Sequence, residues 1–312
     1  MTRIERSVSG TLMVALLSAC TMQGAPSIPK FAQSQALRTV RIAATEPLLY
    51  VSDPVNDSVK VYRAAQRNPS PIATIRKGIR GPAGLAIDGS GNLYVASTTG
   101  NTVTEYHRNA LSPVATYAKD LLGPVSVAVD DAGTLYVANF DSFVYSIVEF
   151  PAGTTDPSVT IRNPCGCYPI GLAIDGGGNL YVAYDDFYSQ SLVYRYAPGS
   201  TKGIAVNLQL GSTHWEAAGM TFDAAANLLV ANATLPGIQV FASGSTTATD
   251  VFGKRGSPRF VQLAADERHA FVSDTAARAV EEYTYPAGKP AGTVTQGLKS
   301  AYGLAISPRA PL

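Results

Sequence analysis

The sequence predicts an all-β protein, namely a six-bladed β-propeller built from four-stranded antiparallel blades. The main observation is a Leu-Tyr-Val-type run that occurs six times along the 312 residues. The centres of these runs are 44, 42, 45, 48 and 42 residues apart, and a period in the forties is typical of one propeller blade. The six runs are Leu49-Tyr50-Val51, Leu93-Tyr94-Val95, Leu135-Tyr136-Val137, Leu180-Tyr181-Val182, Leu228-Leu229-Val230 and Ala270-Phe271-Val272.

The composition supports the same fold class. The chain has 28 glycines and 20 prolines, and only 15 % of its residues are charged, which fits many short strands joined by tight turns. With 46 % hydrophobic residues and a formal net charge of +1, the chain can bury a core and is not expected to be disordered. Because there is no basic excess to contact phosphates, we expect no nucleic-acid partner.

Each unit contains four predicted strands in a constant order. A run of the Gly-Leu-Ala-Ile-Asp type predicts the first strand, and a tight turn rich in Asp, Gly and Asn joins it to the Leu-Tyr-Val strand. The third strand ends in an aromatic residue that we expect to pack between adjacent blades, and a weaker fourth strand follows. The first strands are predicted at Gly84–Asp88, Ser126–Asp130, Gly171–Asp175, Gly219–Asp223 and the degenerate Val261–Ala264; the aromatic residues are Tyr62, Tyr106, Phe150, Tyr196, Phe241 and Tyr283.

This repeated pattern resembles the NHL-repeat class of β-propeller. Gly171–Asp175 followed by Gly178–Ala183 carries it in its most regular form, as Gly-Leu-Ala-Ile-Asp and Gly-Asn-Leu-Tyr-Val-Ala. The resemblance covers residues from about 46 to 307 and implies the propeller fold. It is nearly silent on activity, because propellers of this class include both binding modules and enzymes.

The two ends of the repeat region predict how the ring closes. The first unit has the second-strand run Leu48–Val51 without a good first strand before it, whereas Tyr302–Ser307 is a good first strand with no second strand after it. We therefore expect the C-terminal strand to pair with the N-terminal strands, which would close the ring and remove two open edges. The rival for the missing first strand is Val40–Ala43.

The N-terminal residues resemble the signal peptide of a bacterial lipoprotein. Arg3 and Arg6 precede a short apolar run, and Leu17-Ser18-Ala19-Cys20 resembles a lipobox. The apolar run is too short to span a bilayer as a mature helix. The resemblance implies removal of residues 1–19 and lipidation of Cys20. The alternative is an ordinary signal peptide with a cysteine near its end.

The same resemblance predicts the compartment. Removing residues 1–19 leaves 22 basic and 22 acidic residues, so acyl chains and not electrostatic attraction would hold the protein at the membrane. Thr21 stands where an aspartate usually retains Gram-negative lipoproteins in the inner membrane, so the resemblance implies the outer membrane, with the domain facing the periplasm or the cell surface. Residues 20–45 are predicted to be a flexible tether, and residues 46–312 the propeller.

One face of the predicted propeller carries unusually rich loops. By repeat phase, the loops before the first strands of units four and five share this face with the second-to-third-strand loops of units three and four. Aromatic and polar side chains gathered in this way are typical of a ligand site, although packing or solvation can explain each of them alone. The ligand-binding candidates are Phe140, Asp141, Tyr168, Tyr184, Asp185, Asp186, Phe187, Tyr188, His214, Trp215 and Glu216.

Cys165 and Cys167 lie in one of these loops and allow three interpretations. In an oxidising compartment they can form a disulfide, which would be strained because it closes across a single residue. They can also be metal ligands, with His214 as the only nearby partner, or free thiols. We favour the disulfide.

A metal-dependent lactonase or lyase is the alternative function. The residues that follow the second strands are expected to surround the central opening, and some of them could bind Ca²⁺ or Zn²⁺ there. They do not match the metal motif of gluconolactonase-type propellers residue by residue, and the histidine site of virginiamycin-lyase-like propellers is incomplete. The residues at this position are Asp53, Ser97, Asn139, Tyr184, Asn232 and Asp274; the candidate metal ligands are Asp53, Asn139, Asn232 and Asp274 together with Glu216.

The function that we expect from the sequence is therefore binding. The protein would be a monomeric, lipid-anchored, extracytoplasmic propeller that recognises a protein, peptide or glycan through its loop-rich face, without a cofactor. A purely structural role in the envelope is a third hypothesis.

Overall fold

The computed structural model describes residues 46–64, 66–140, 145–186, 191–209, 217–232, 237–253 and 256–307. Within these residues the chain forms 24 strands in six four-stranded antiparallel sheets. The sheets are blades arranged in a ring, so the prediction of a six-bladed propeller is confirmed.

Every blade has an innermost, a second, a third and an outer strand, and the innermost strands of neighbouring blades contact one another around the axis. The innermost strands are β4 (Pro82–Ile87), β8 (Pro124–Val129), β12 (Tyr168–Ile174), β16 (Ala217–Phe222), β20 (Pro258–Leu263) and β24 (Leu304–Ser307). The second strands are β1 (Leu48–Asp53), β5 (Leu93–Ser97), β9 (Leu135–Asn139), β13 (Leu180–Asp185), β17 (Leu228–Asn232) and β21 (His269–Asp274).

The third and outer strands complete the blades. The third strands are β2 (Ser58–Arg63), β6 (Thr102–Tyr106), β10 (Ser146–Phe150), β14 (Ser191–Tyr196), β18 (Gly237–Phe241) and β22 (Ala279–Thr284). The outer strands are β3 (Ala73–Ile75), β7 (Ala115–Tyr117), β11 (Val159–Arg162), β15 (Ile204–Val206), β19 (Ala248–Phe252) and β23 (Pro290–Val294). Blade 1 consists of β24, β1, β2 and β3, and blades 2 to 6 each take the next four strands in chain order.

The ring closes by pairing of the two ends of the repeat region. β24 pairs antiparallel with β1, from Leu48 opposite Ser307 to Val51 opposite Leu304. This confirms the predicted closure and makes blade 1 a composite of C-terminal and N-terminal strands. The rival strand Val40–Ala43 lies outside the described residues.

The glycines of the first-strand pattern let innermost strands approach closely. A Cβ atom on Gly84 would lie 2.7 Å from Ser126 Cα in the next blade, and one on Gly171 would lie 1.8 Å from the carbonyl oxygen of Ala218. Real Cβ atoms do not approach backbone so closely. The repeated glycine therefore follows from close backbone approach near the axis.

The Asp and Asn residues of the pattern build the turns between the first two strands. Asp88 Oδ1 accepts hydrogen bonds from the amides of Ser90 (2.9 Å) and Asn92 (2.8 Å). Gly91 has a φ of 84°, a conformation that favours glycine. These carboxylates thus satisfy local backbone groups, as expected for turn residues.

The aromatic residues that end the third strands fill the boundaries between blades, as predicted. All six are at most 6 % exposed. Tyr106 in blade 2 donates its hydroxyl to the carbonyl of Lys77, which follows the last strand of blade 1 (2.6 Å). Phe150 in blade 3 packs edge-on against Tyr117 of blade 2, with centroids 5.2 Å apart.

The predictions for the N-terminal region fall outside the described residues. They comprise the signal peptide (1–19), lipidation at Cys20 and the whole of the tether (20–45). Among the residues that are described, no helix has the length and apolarity needed to cross a membrane.

Candidate functional site

The propeller has two distinct faces. We call the face with the loops before the innermost strands and between the second and third strands the loop face. The opposite turn face carries the turns between the first two strands and the loops between the third and outer strands. The sequence-predicted ligand site belongs to the loop face.

Three aromatic rings form a cluster on the loop face, across the boundary between blades 3 and 4. Phe140 and Tyr145 flank the loop between β9 and β10, and Tyr168 begins β12. The ring centroids are 5.3 Å apart for Phe140 and Tyr168, 5.5 Å for Phe140 and Tyr145, and 5.9 Å for Tyr145 and Tyr168. All three side chains are partly exposed. Phe140 and Tyr168 were predicted as ligand-binding residues, whereas Tyr145 was missed.

A disulfide lies beside this aromatic cluster. Cys165 and Cys167 are bonded to each other, with their Cα atoms 5.2 Å apart. The Cys165 amide donates to Asn163 Oδ1 at 2.8 Å, and Cys167 is buried in the same hydrophobic cluster as Tyr184. The disulfide therefore ties the loop before β12 to the interior of blade 4.

Asp185 orients the exposed ring of Tyr168. The two residues face each other across β12 and β13, and the Tyr168 hydroxyl donates to Asp185 Oδ2 at 3.2 Å. Asp185 is only 8 % exposed, whereas the neighbouring Asp186 is partly exposed. A buried carboxylate that accepts a tyrosine hydroxyl reduces the freedom of the ring, so the aromatic cluster is held in one arrangement.

Tyr184 does not belong to the ligand-accessible surface, which corrects its prediction as a ligand-binding residue. Its side chain is 0 % exposed, its hydroxyl is 2.9 Å from the Tyr196 hydroxyl, and its ring packs edge-on against Tyr194. Burial, and secondarily the neighbouring Tyr196, raises the pKa of Tyr184. Tyr184 is therefore a core residue of blade 4.

The remaining ligand-binding candidates lie outside the described residues. They are Asp141, Phe187, Tyr188, His214, Trp215 and Glu216. Their predicted contribution to the loop face stays a prediction.

The polar residues at the ends of the second strands hold loops in place. Asp53, Asn139, Asn232 and Asp274 are at most 3 % exposed, so their side chains do not project into an open channel as the sequence suggested. Three of them accept backbone amides from the loop before the innermost strand of their own blade. These bonds join Lys299 N to Asp53 Oδ2 (3.1 Å), Leu122 N to Asn139 Oδ1 (2.7 Å) and Ser257 N to Asp274 Oδ1 (3.2 Å).

The axial channel is narrow where it reaches the turn face. Its cavity there has a volume of about 90 Å³ and is lined mainly by alanine, leucine, isoleucine and valine. Organic ligands generally need roughly 300–1,000 Å³, so this cavity is too small for them. Within the described part of the chain, no three His, Cys, Asp or Glu side chains come together as a metal site.

A larger cleft opens on the turn face between blades 6 and 1, and the sequence did not predict it. Its volume is about 510 Å³. Blade 6 contributes the turn between β20 and β21 together with Phe271, Glu282 and Ala291, and blade 1 contributes Pro47 and the loop after β2. We call this cleft the seam cleft. Its lining residues are Pro47, Ala64, Gln66, Arg67, Ala264, Ala265, Asp266, His269, Phe271, Glu282 and Ala291.

Charged and titratable groups converge on Glu282 inside the seam cleft. The His269 Nε2 atom lies 3.9 Å from Glu282 Oε1, and the Glu282 side chain is 15 % exposed. Burial raises the pKa of Glu282, while the charges of His269 and Arg67 act against this shift. A half-buried carboxylate with a perturbed pKa in a cleft marks a candidate binding site.

Two residues that line the seam cleft deviate from the sequence repeat. Ala264 stands where four other units have Asp88, Asp130, Asp175 and Asp223, and Phe271 stands where most units have tyrosine. The sequence showed both deviations. Only the folded ring places them opposite the small residue Ala64.

Comparison with known proteins supports the fold and goes no further. No family model matches the chain, and no curated protein sequence matches it. A chain from a crystal structure of a nidogen/laminin complex is similar, with a TM-score of 0.71 and 17 % identity, over 84 % of this chain and 98 % of that chain. At this identity the similarity shows a shared fold alone. Since 1328 solved chains match, the fold does not select one function.

Proposed function

We propose that this protein is a lipid-anchored, extracytoplasmic β-propeller that binds a protein, peptide or glycan through its loop face. The fold supports this proposal, because β-propellers commonly serve as binding modules whose loops carry the specificity. The NHL-type resemblance of the repeat is compatible with it. The proposed role needs no cofactor, and the propeller would act as a monomer.

The observation that carries the proposal is the aromatic cluster of Phe140, Tyr145 and Tyr168. Aromatic side chains dominate the energetics of protein interfaces and also stack on sugars, because they offer a large apolar area at a low entropic cost. Here the rings are partly exposed and pack against one another, Asp185 accepts the Tyr168 hydroxyl, and the Cys165–Cys167 disulfide directly precedes Tyr168 in the chain. Such preorganisation strengthens binding, since little freedom remains to be lost.

Site-specific photocrosslinking in cells tests the proposed loop-face interaction. A benzophenone amino acid replaces Tyr168 in one variant and Leu111 in a control variant, since Leu111 is 51 % exposed on the turn face. We expect a discrete adduct at position 168 and none at position 111. Adducts of equal yield at both positions, or none at position 168, would contradict the proposal.

A purified partner would then allow the aromatic cluster to be tested directly. Tyr168→Ala is expected to weaken binding by roughly tenfold or more, the effect typical of an interfacial hot spot. The matched control is Tyr285→Ala, which removes a partly exposed tyrosine from the turn face and is expected to leave the affinity unchanged. An unchanged affinity in Tyr168→Ala would move the binding site away from this cluster.

Lipid anchoring is a separate part of the proposal. It rests on the lipobox-like run that ends at Cys20, because the mature chain has balanced charges and therefore no electrostatic attraction to anionic lipid. Cys20→Ser is expected to release the protein from the outer-membrane fraction. Unchanged fractionation of that variant would overturn the anchor and leave loop-face binding intact.

The described geometry does not favour the metal-dependent lactonase or lyase. Three of its candidate ligands, Asp53, Asn139 and Asp274, already accept amides of neighbouring loops. Metal analysis of the purified protein tests this alternative. A stoichiometric Ca²⁺ or Zn²⁺ would support it over the binding role.

A further inference from the structure

The boundary between blades 2 and 3 is equivalent to the one that contains the seam cleft, but it is filled. Between blades 2 and 3, the turn-face half of the boundary is filled by tyrosine side chains around one carboxylate. Tyr94 lies opposite Glu105 on the neighbouring strand, and the Tyr117 hydroxyl donates to Glu105 Oε2 at 2.9 Å. Tyr94 and Tyr117 are each 5 % exposed. Glu105 therefore has a hydroxyl donor supplied by the chain itself.

Blade 6 keeps the carboxylate and loses the tyrosines. Strand registers identify the equivalent residues: Phe271 lies opposite Glu282 as Tyr94 lies opposite Glu105. Val294 lies opposite Val280 as Tyr117 lies opposite Val103. Phe271 has no hydroxyl and Val294 has no ring, so neither can donate a hydrogen bond to Glu282.

Two alanines, Ala64 and Ala264, line the seam cleft. Ala264 stands at the turn position that Asp88 holds in blade 2. Ala64 follows the third-strand aromatic residue by two positions, where Arg108 reaches across to the carbonyl of Glu46 (2.8 Å) and Tyr285 reaches across to Asp223 (2.6 Å). Ala64 leaves the boundary between blades 6 and 1 without such a side chain, as Ala152 does between blades 2 and 3, so Ala264 is the alanine that distinguishes these two boundaries.

The Glu282 carboxylate is accommodated deep in the cleft. Gly292 lies opposite Glu282 on β23, and a Cβ atom there would lie 2.7 Å from Glu282 Oε2. Any larger residue would displace the carboxylate. Arg67 belongs to the loop after β2 and is exposed at the rim, whereas the Glu282 side chain is 15 % exposed. The deepest charged group in the cleft is therefore an acceptor.

We propose that the seam cleft binds a small aromatic molecule that carries a hydrogen-bond donor, either a hydroxyl or an ammonium group. The ring would occupy the space that the Tyr117 ring fills between blades 2 and 3, against Phe271 and the alanines that line the cleft. The donor would bond to the Glu282 carboxylate, as Tyr117 does to Glu105. An anionic ligand is disfavoured because its charged group would lie against Glu282, the deepest charged group in the cleft, whereas Arg67 is exposed at the rim.

Calorimetric titration of the purified full chain tests this assignment. The probes are p-cresol, which has a hydroxyl donor, phenethylamine, which has an ammonium donor, and phenylacetate, which has an anionic head on a similar ring. We expect at least one donor probe to bind, and the comparison of the two identifies the preferred donor. Phenylacetate is expected to bind about tenfold more weakly or not at all, because it cannot donate to Glu282 at neutral pH.

Matched variants locate the binding. Glu282→Gln is expected to lower the affinity for the donor probe by roughly tenfold or more, which is typical of a lost hydrogen bond to a charged group. Glu105→Gln alters the equivalent carboxylate in the filled boundary and is expected to leave the affinity unchanged. If Glu282→Gln does not fold, Ala264→Leu, which fills the cleft from its rim, is expected to abolish binding.

Three results would overturn the proposal. They are binding of neither donor probe, equal effects of Glu282→Gln and Glu105→Gln on the affinity, and tighter binding of phenylacetate than of both donor probes. The last result would instead identify an anion site at Arg67 and His269. None of these results bears on the loop face, so the proposed function is tested separately.

Discussion

The boundary between blades 2 and 3 and the boundary between blades 6 and 1 occupy the same position in the repeat, but they are filled differently. In the first, Tyr94, Tyr117 and Glu105 form a packed and hydrogen-bonded group. In the second, the equivalent positions hold Phe271, Val294 and Glu282, and a cleft of about 510 Å³ remains. A common backbone thus supports a closed boundary in one place and an open one in another.

The chemistry of the filled boundary explains why the difference is large. Burial and the nearby Glu105 raise the pKa of Tyr94 and of Tyr117, so both hydroxyls stay protonated and Tyr117 can donate to the carboxylate. A hydrogen-bonded group of this kind stabilises the fold when each of its polar atoms has a partner. In blade 6 the donors are absent, and Glu282 lies in a cleft near His269 and Arg67.

The two boundaries also differ near the axis. Gly84 lets β4 approach the backbone of Ser126 in β8. The equivalent residue in blade 6 is Phe260, whose ring packs against Tyr302 with centroids 5.7 Å apart. Backbone contact therefore joins blades 2 and 3, whereas side-chain rings join blades 6 and 1. The two ends of the repeat region meet within blade 1, which forms one side of the open boundary.

The largest expected effect comes from removing β24. Deleting residues 300–312 takes the innermost strand from blade 1, exposes an edge of β1 and removes part of the boundary with blade 6. We expect this variant to lose cooperative thermal unfolding, measured by circular dichroism. A chain that ends after Ser307 keeps β24 and is the control. Unchanged melting of the shorter variant would refute closure by this strand.

Substitution of Gly84 in the closed boundary should destabilise the protein more than substitution of Phe260 in the open boundary. Gly84→Val forces a side chain against the Ser126 backbone, and overpacking of this kind costs about 1–3 kcal/mol or more. Phe260→Leu removes atoms from a contact between rings and is expected to cost less. Urea unfolding measures both free energies. A larger loss of unfolding free energy in Phe260→Leu than in Gly84→Val would show that packing near the axis contributes more to stability at the open boundary.

Losing a tyrosine hydroxyl in the filled boundary should destabilise the protein, whereas gaining one in the open boundary should not. Tyr117→Phe removes the donor to Glu105 and is expected to reduce the free energy of unfolding by roughly 1–3 kcal/mol. Phe271→Tyr adds a hydroxyl where the seam cleft has room, and we expect it to be neutral or slightly stabilising. Urea unfolding measures the change in unfolding free energy for both variants. A Phe271→Tyr variant as unstable as Tyr117→Phe would show that the cleft cannot accept the tyrosine.

The smallest expected effect is on the pH dependence of stability. Burial raises the pKa of Glu282, so in the range just above its ordinary pKa the folded protein binds this proton more readily than the unfolded chain does. Stability from this group therefore falls as the pH rises through that range and is regained on acidification. Arg67, His269 and Asp266 surround Glu282 in the cleft, and they remain in the variant Glu282→Gln.

Melting temperatures of the wild type and Glu282→Gln between about pH 4 and pH 8 measure this contribution. We expect the variant to gain stability relative to the wild type as the pH rises. A constant difference over the whole range would show that Glu282 titrates alike in the folded and unfolded chains.

The repeat allowed most of the fold to be predicted. Its period identified six blades, and the unmatched runs at Leu48–Val51 and Tyr302–Ser307 identified the closing pair. These predictions succeeded because alternation, turn residues and glycines report local backbone needs that every blade shares. The third-strand aromatic residues were also predicted to lie between blades, where all six are buried.

The candidate sites could be predicted only in part. Phe140, Tyr168 and Asp185 were predicted to bind a ligand because their loops depart from the repeat; the structure packs Phe140 against Tyr168 and bonds Tyr168 to the buried Asp185, and their ligand binding stays a prediction. Tyr184 was misassigned, since the sequence could not show that its side chain turns into the core. Asp53, Asn139 and Asp274 were placed at the correct strand ends, but their hydrogen bonds to loop amides became visible only in the fold.

The sequence by itself determined the number of blades, the strand order within each blade and the way the ring closes. Those features depend on short-range patterns that repeat about every 44 residues. Only the tertiary structure decided that blades 6 and 1 enclose a cleft. Ala64 and Glu282, which line the cleft from its two sides, lie more than 200 residues apart in the chain, and the tyrosine side chains that fill the boundary between blades 2 and 3 are absent here. Such a void is a property of two facing surfaces, so no local pattern can encode it.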